Sequence, residues 1–412
     1  MASNWARNIE YGSKGILAPD SIERLREVVL QSPTVKALGT KHSFNVGADT
    51  EGVQISTARL DQVLDLDRKN LTVTVQGGIS YGKLSSNLAA EGFALHNLAS
   101  LPHISVAGAC ATATHGSGVK NGNLATAVVA IEFVNGHGDL IALNQQDHEF
   151  FGAVVNLGAL GIVTKLTLRI QPTFEVRQFV YQNLPFQALE EHFDSIAASA
   201  YSVSLFTTWQ SESIDQVWQK HVGFEGDAPA SLEGAQLASV KLHPLPGHSA
   251  ENCTEQLGIP GSWHERLAHF RMDFTPSSGE ELQSEFMIPR QHSYQALQAI
   301  SLIRDQIYPI LHVSEIRTAA KDSLWMSPAY GQDVTCVHFT WKKDWPAVRA
   351  LLPTIEETLR PFGAMPHWGK LFLMESDRLA EVFPKMADFK ALVAKHDPEG
   401  KFQNEYLRQI LG

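Results

Sequence analysis

Cysteine is scarce in this 412-residue chain: Cys110, Cys253 and Cys336 lie far apart and show no CxxC spacing. Their separation excludes a disulfide framework and a zinc knuckle and leaves buried, reduced thiols as the expectation. Positive charge is also in deficit, with 33 Lys+Arg against 44 Asp+Glu and a formal net charge of −11. That balance repels phosphate backbones and anionic lipid, so neither nucleic acid nor membrane is expected as a partner. No run approaches the roughly 18 apolar residues of a membrane helix, and MASNWARNIEYG lacks a basic-then-apolar signal pattern, so a soluble cytoplasmic protein is expected. Metal-ligand spacing is missing as well: His96, His103, His115, His137 and His148 form no HxH or HExxH pair, so no metal site is expected. Neither low-complexity tracts nor internal repeats occur. With 44% hydrophobic and 19% charged residues the composition is globular. The length suits two domains of about 150 to 250 residues each.

The first local signal is PDSIERLREVVLQ, where Asp20 can cap a helix with Glu23 three residues on, and Ile22, Leu25, Val28 and Val29 share one apolar face. The run VKAL then leads into a glycine turn at Gly39, which places His42 in a loop leaving a strand. Short period-two segments follow in EGVQIST, DQVLDLD and NLTVTVQGG, then a helix in SYGKLSSNLAAEG that Gly92 stops. The segment SVAGACATATHGSGVKNGNLATAV is dominated by small residues and has nothing to fill a core. VVAIEFVNGHGDLIAL reads as a hairpin turning at Asn135 to Gly138, and FFGAVVNLGALGIVTKLTLRIQP as a glycine-broken helix running into a strand. Pro172 closes a first domain.

Beyond it, FQALEEHFDSIAAS is helical and SVSLFTTW and DQVWQKHV are strands. Residues 222–265 are rich in Gly, Pro, Ala and Ser and read as a long surface excursion that can form a partial lid. Then come a helix in SYQALQAISLIRDQIYPIL, strands in HVSEIRTAA and TCVHFTW, a helix in KDWPAVRALLPTIEETLRPF and a strand in PHWGKLFLM. This order predicts helices over one face of an antiparallel sheet. Glu315 and Arg317 are two apart and share a strand face, as do His338 and Thr340, while Lys370 alternates with Trp368 and Phe372. Each strand alone fits a solvated sheet face. Three strands gathering Glu, Arg, His, Thr and Lys fit a concave site that binds hydroxyl groups better. HGSGVKNG is not a dinucleotide fingerprint, because no long helix follows it. Its bare backbone amides can still approach a phosphate closely.

Taken together, GTKHSFN, HNLASLPHISVAGACATATHGSG, LGALGIVTKLTL, SEIRT, HFTW, HWGK and DPEGKFQN resemble FAD-dependent oxidoreductases of the vanillyl-alcohol-oxidase type, and within them the alditol oxidases, which are related to sugar-lactone oxidases. The resemblance covers nearly the whole chain. It implies an α+β, two-domain fold: an FAD-binding domain of the PCMH type, made of two α/β subdomains over residues 1–172, a substrate domain with a helix-covered antiparallel sheet over 173–372, and a C-terminal segment, 373–412, returning to the FAD domain. It also implies FAD held covalently through His42, and a pyrophosphate loop from Ala107 to Gly122. The cofactor-binding positions it implies are Gly39, Thr40, Lys41, His42 and Ser43 in the first loop; Ser100, His103, Ser105, Gly108, Thr112, Thr114, His115, Gly116 and Gly118 in the small-residue region; and Gly158, Gly161, Ile162, Val163 and Lys370 beyond it.

The implied substrate is a polyol such as xylitol or sorbitol, oxidised at its terminal carbon by a monomeric enzyme that passes electrons to O2 and yields an aldose and hydrogen peroxide. Polyol-contacting positions carry over to Ser100, Glu315, Arg317, His338, Thr340 and Lys370, with Lys370, His338 and Arg317 as the catalytic set. Hydride transfer requires the hydroxyl proton to leave as well, and Lys370 or His338 can take it. Relatives often carry glycine before the attachment histidine, where this chain has Lys41. A positive charge there would disfavour imidazolium at His42. Two other readings are a sugar-lactone or other hydroxy-substrate oxidase on the same scaffold, and a sugar-binding protein without redox function.

Overall fold

The computed structural model describes residues 2–223, 225–273 and 280–412. Three larger sheets and one two-stranded pair organise them. Near the N-terminus, Gly15–Leu17, Val53–Ser56 and Val35–Leu38 form a parallel three-stranded sheet. The amphipathic helix Ile22–Gln31 supplies the crossover and buries Leu25, Val28 and Val29. Its cap is Ser21, whose hydroxyl accepts from the Arg24 amide at 3.2 Å, and not Asp20, one residue earlier. A second sheet, antiparallel, runs in the order Val63–Asp67, Thr72–Gln76, Ile162–Arg169, Val128–Val134, Leu140–Asn144. The hairpin predicted at Asn135 to Gly138 joins its last two strands.

After Gln171–Pro172 pairs with Phe93–Ala94, the chain enters a ten-stranded antiparallel sheet. Its centre runs Glu175–Pro185, Ser213–Val222, Ser202–Thr207, Leu311–Ala319, Val334–Lys342, Glu281–Pro289 and Met365–Pro366. Helices Ala188–Ala197, Ser293–Leu302 and Trp345–Leu359 pack against one another and the sheet. The central strands are therefore buried on both faces, by these helices on one side and by cavity walls on the other. Residues 222–265, of which residue 224 lies outside the described set, add the small strands Ser231–Leu232, Ala235–Leu237 and Gly261–Ser262 at the sheet edge.

The tail returns to the N-terminal half. Asn404 caps Glu405–Leu411 and its amide donates to the carbonyls of Val46, Gly47 and Asp49 at 2.9–3.2 Å. Buried Lys36 donates to Phe402 O at 3.0 Å. Among the described residues no helix is long and apolar enough to cross a membrane, and all three cysteines are buried and free.

Two expectations fail in the second half. PHWGKLFLM is not a strand beyond Met365–Pro366. From His367 its backbone groups are spent elsewhere: Lys370 N donates to His367 O, Leu371 N to Gln283 O, and Gly369 O accepts from Phe44 N. The helix expected through Leu311 breaks after Leu302, resumes at Arg304–Ile307, and tightens to a 3₁₀ turn around Pro309, which cannot donate to a helical ladder. The strand Glu281–Pro289, in contrast, was not expected at all.

Candidate functional site

Sheet register assembles the polar cluster. Glu315 lies opposite His338, and His338 opposite Glu285 on its other side, so two carboxylates flank one imidazole across three adjacent strands. One step along, Thr340 pairs with Gln283, and on the other side Arg317 pairs with Cys336. Glu285, Glu315, Arg317, His338 and Thr340 are each under 9% exposed, which rules out a solvated face.

Glu285 is the hub. Its carboxylate meets Arg317 Nη2 at 3.1 Å, Lys370 Nζ at 2.5 Å and His115 Nε2 at 3.2 Å. Burial alone would raise its pKa, but Lys370, His115 and Arg317 outweigh burial and hold the carboxyl well below the usual range. Glu315 is lowered in the same way against burial, chiefly by Arg317 and His269. His338 goes the other way. Burial, with Lys370 second, pushes it down to about 3, so the ring is neutral, and its buried Nε2 has no hydrogen-bond partner. Burial lowers Lys370, while Glu285 opposes the shift. Arg317 Nη1 also reaches Ser100 Oγ and His115 O, both at 3.4 Å.

The His42 loop is sewn onto this cluster. Phe44 N donates to Gly369 O at 2.8 Å, and Asn45 Nδ2 donates to Trp368 O and Lys370 O at 2.7 and 2.9 Å. From the other side, Trp5 N donates to Lys41 O, Asn4 Nδ2 to Ser43 O, and Trp5 stacks on the His42 ring at 5.4 Å. The ring nitrogens of His42 are both buried and without a partner. Burial first, and His103 second, push its pKa down to about 4. Neutrality at His42 therefore comes from burial and His103, which corrects the expectation that Lys41 supplies it.

Lys41 matters through its backbone. Its φ of 65° lies in the left-handed region, where a side chain costs about 1 kcal/mol relative to glycine. This explains why glycine suits the position. Lys41→Gly should leave the loop in place and raise thermal stability by up to about 1 kcal/mol. A lowered melting temperature would mean that the lysine side chain makes a compensating contact.

One cavity of about 730 Å³ connects these parts, within the usual span of cofactor and ligand sites of about 300–1,000 Å³. Gly39, Thr40, Lys41, His42 and Ser43 line it; so do Ser100, Ser105, Gly108, Thr112, Thr114 and His115, with Gly158, Gly161 and Val163. Glu315, Arg317, His338, Thr340 and Lys370 form its other wall. Four expected positions do not line it. His103 Nε2 donates to Met272 O, Gly116 packs on Asn97 and Leu98, Gly118 N donates to Thr318 O, and Ile162 lies in the apolar core. The excursion contributes His243, Leu245, His248 and Asn252 to the wall.

The residues present fit a flavin nucleotide. At Gly39 a Cβ would come within 2.8 Å of Ser105 Oγ, so backbone and hydroxyl already meet closely under a wall of small residues. His42, whose ring nitrogens are both unpartnered, lines the same cavity. A metal fits less well. Among the described residues the ligand atoms of His115, Glu285 and Cys336 lie within 4.8 Å of one another. However, Arg317 and Lys370 already neutralise Glu285, and burial pushes the Cys336 thiol up, away from the thiolate a metal needs.

Glu285 and Gln283 were missed in the sequence, although ELQSEFMIP carries the same alternation used for HVSEIRT, with Glu281, Gln283 and Glu285 on one face. His269 was missed too, and no periodic signal surrounds it.

Comparison with known proteins agrees with this geometry. The FAD binding domain family matches residues 13–144, and the D-arabinono-1,4-lactone oxidase family matches residues 275–410. The chain is 46% identical to an alditol oxidase from a Streptomyces species, over 99% of this chain and 98% of that protein. It is 30% identical to an L-gulono-1,4-lactone dehydrogenase of Mycobacterium tuberculosis, over 100% of this chain and 99% of that one. A crystal structure of cholesterol oxidase from B. sterolicum superposes with a TM-score of 0.81 at 13% identity, over 100% of this chain and 96% of that chain, and shows the shared fold.

Proposed function

Because the chain belongs to the FAD-dependent oxidoreductases of the vanillyl-alcohol-oxidase type, in their alditol oxidase branch, we propose that it oxidises the terminal CH2OH of an alditol such as xylitol or sorbitol to the aldehyde level, with O2 as electron acceptor. The observation that carries this reading is the array of buried Glu285, Arg317, Glu315 and His338 with partly buried Lys370, facing the cavity that His42 also lines. Bound FAD supplies the hydride acceptor and, through its reoxidation by O2, hydrogen peroxide.

The protein's own groups do the rest. Ser100, Thr340 and Glu315 present hydroxyl-binding atoms, which a substrate lacking hydroxyls would leave unpaired at a cost of several kcal/mol. Arg317 and Lys370, both anchored on the Glu285 carboxylate, which favours the ammonium form of Lys370 against its burial, stabilise negative charge developing on the substrate oxygen. Between the two expected bases, His338 is favoured: its Nε2 is unpartnered, whereas Lys370 Nζ is committed to Glu285. Low basicity is offset as the proton arrives, because Glu285 and Glu315 flank the nascent imidazolium.

We assign residues 1–172 and 373–412 to cofactor binding and 173–372 to the substrate, and place a monomer in the cytoplasm, which size exclusion and cell fractionation check. Covalent attachment at His42 is the finer cofactor assignment, supported by its neutral, buried and unpartnered ring. His42→Ala should yield protein whose yellow colour goes wholly into the supernatant on acid precipitation, while the wild-type pellet stays yellow. Flavin retained in the variant's pellet would overturn the assignment. The 30% identity to a lactone dehydrogenase makes sugar lactones the comparison substrates.

A further inference from the structure

Behind Glu315, on the side away from His338, lies a second buried chain of polar contacts that the mechanism above does not use. Lys220, 1% exposed on the strand Ser213–Val222, places Nζ 2.6 Å from Leu267 O, 2.8 Å from Ala268 O and 3.2 Å from His269 Nδ1. His269 Nε2 in turn lies 2.7 Å from Glu315 Oε1. The ring cannot readily turn, since Phe206 and Trp218 meet it edge-on at 5.6 and 5.4 Å.

These contacts fix protons. A lysine ammonium has three N–H donors and no acceptor, and Lys220 has three acceptors around it. His269 Nδ1 is then an acceptor, the ring proton sits on Nε2, and Nε2–H donates to the Glu315 carboxylate. When Lys220 is a neutral amine, its two hydrogens stay on the nearer carbonyls and its lone pair faces Nδ1. Nδ1 then has no donor beside it, so the ring proton is no longer held on Nε2 and the bond to Glu315 weakens.

We propose that Lys220 and His269 are positioning residues that set how Glu315 binds the polyol, with the protonated Lys220 holding Glu315 aimed at the substrate hydroxyl. This inference rests on the polyol-oxidase reading and deepens it, because Glu315 is the substrate-facing group in that reading. The groups facing Lys220 are His269, Glu315, Cys253, Arg266 and Arg317. Burial lowers Lys220 to about 7, with Glu315 and Cys253 opposing and Arg266 and Arg317 adding to the shift. The competent state is therefore present below that value and lost as pH rises through it, with the titration shared across the triad.

The test uses holoenzyme with xylitol and sorbitol, following kcat/KM from pH 6 to 9. Wild type should show a falling alkaline limb that reports the free enzyme. That limb should vanish in Lys220→Met, and also in His269→Gln, whose amide can donate to Glu315 without needing Lys220. His269→Phe should raise KM about tenfold at pH 6, the loss of one hydrogen bond to a charged group, with kcat changed little. Flavin content and melting temperature show that each variant is folded, and His269→Gln carries the test should Lys220→Met fail to fold. A limb that persists in His269→Gln, or an unchanged KM in His269→Phe, overturns the relay. Absence of any polyol-dependent flavin reduction in wild type would instead sink the parent reading.

Discussion

Replacing His338 by asparagine is expected to slow polyol-driven flavin reduction by about 10²- to 10⁴-fold, the range for losing a positioned general base. FAD content should be unchanged. Asparagine keeps a polar, neutral group of similar reach, so the fold between Glu285 and Glu315 is disturbed little. What it cannot do is accept a proton. The ring is neutral across the working pH range because burial pushes it down to about 3, so its availability does not depend on pH. The arriving proton is favoured only by the two carboxylates paired across the sheet with it. A His338→Asn variant with wild-type reduction rates would move the base role to Lys370, whose replacement by alanine would then give the larger loss.

The second large effect is structural and catalytic together. Glu285→Gln keeps the side-chain volume but removes the charge that Arg317 and Lys370 share, leaving buried Arg317 and partly buried Lys370 facing each other across an amide. Breaking a buried ion pair from one side costs about 3–5 kcal/mol, so the melting temperature should fall by many degrees. The pH dependence has a definite sign. The native carboxyl is held well below its unfolded value of about 4.3, so its contribution is fully present above that pH and is lost as pH falls toward the native value. The stability gap between wild type and Glu285→Gln should therefore narrow below about pH 4.3. In the folded variant, flavin reduction should also fall, because Arg317 and Lys370 lose their anchor. Thermal melts at pH 7 and pH 3.5 that show the same gap would contradict this role.

How much of this was legible in the sequence depended on periodicity. HVSEIRT and TCVHFTW announced their polar faces by alternation, and the sheet sets Glu315 and His338 directly opposite one another. The same rule applied to ELQSEFMIP would have found Glu285, which two cations and an imidazole converge upon. Lys370 was placed in the right cavity for the wrong reason. HWGKLF alternates like a strand, yet its backbone groups are claimed by Phe44, His367 and Gln283, so Lys370 reaches Glu285 from a turn. Long-range partners of that kind leave no local trace.

His42 shows the converse. Its loop was recognised from GTKHSFN as a motif, whereas the reason its ring is neutral, burial under Trp5 and beside His103, involves residues distant in sequence. Lys220 and His269 belong to the same class: one lies on a strand that reads as ordinary, the other in an aperiodic segment, and only folding brings both behind Glu315.

The central claim, that this cavity oxidises polyols through its bound flavin, is tested most directly by anaerobic mixing of the holoenzyme with xylitol, sorbitol and a sugar lactone while flavin absorbance is followed. Rapid bleaching by the polyols, with little by the lactone and with peroxide formed once air is admitted, is the predicted result. Bleaching by the lactone alone, or by none of the three, would contradict it.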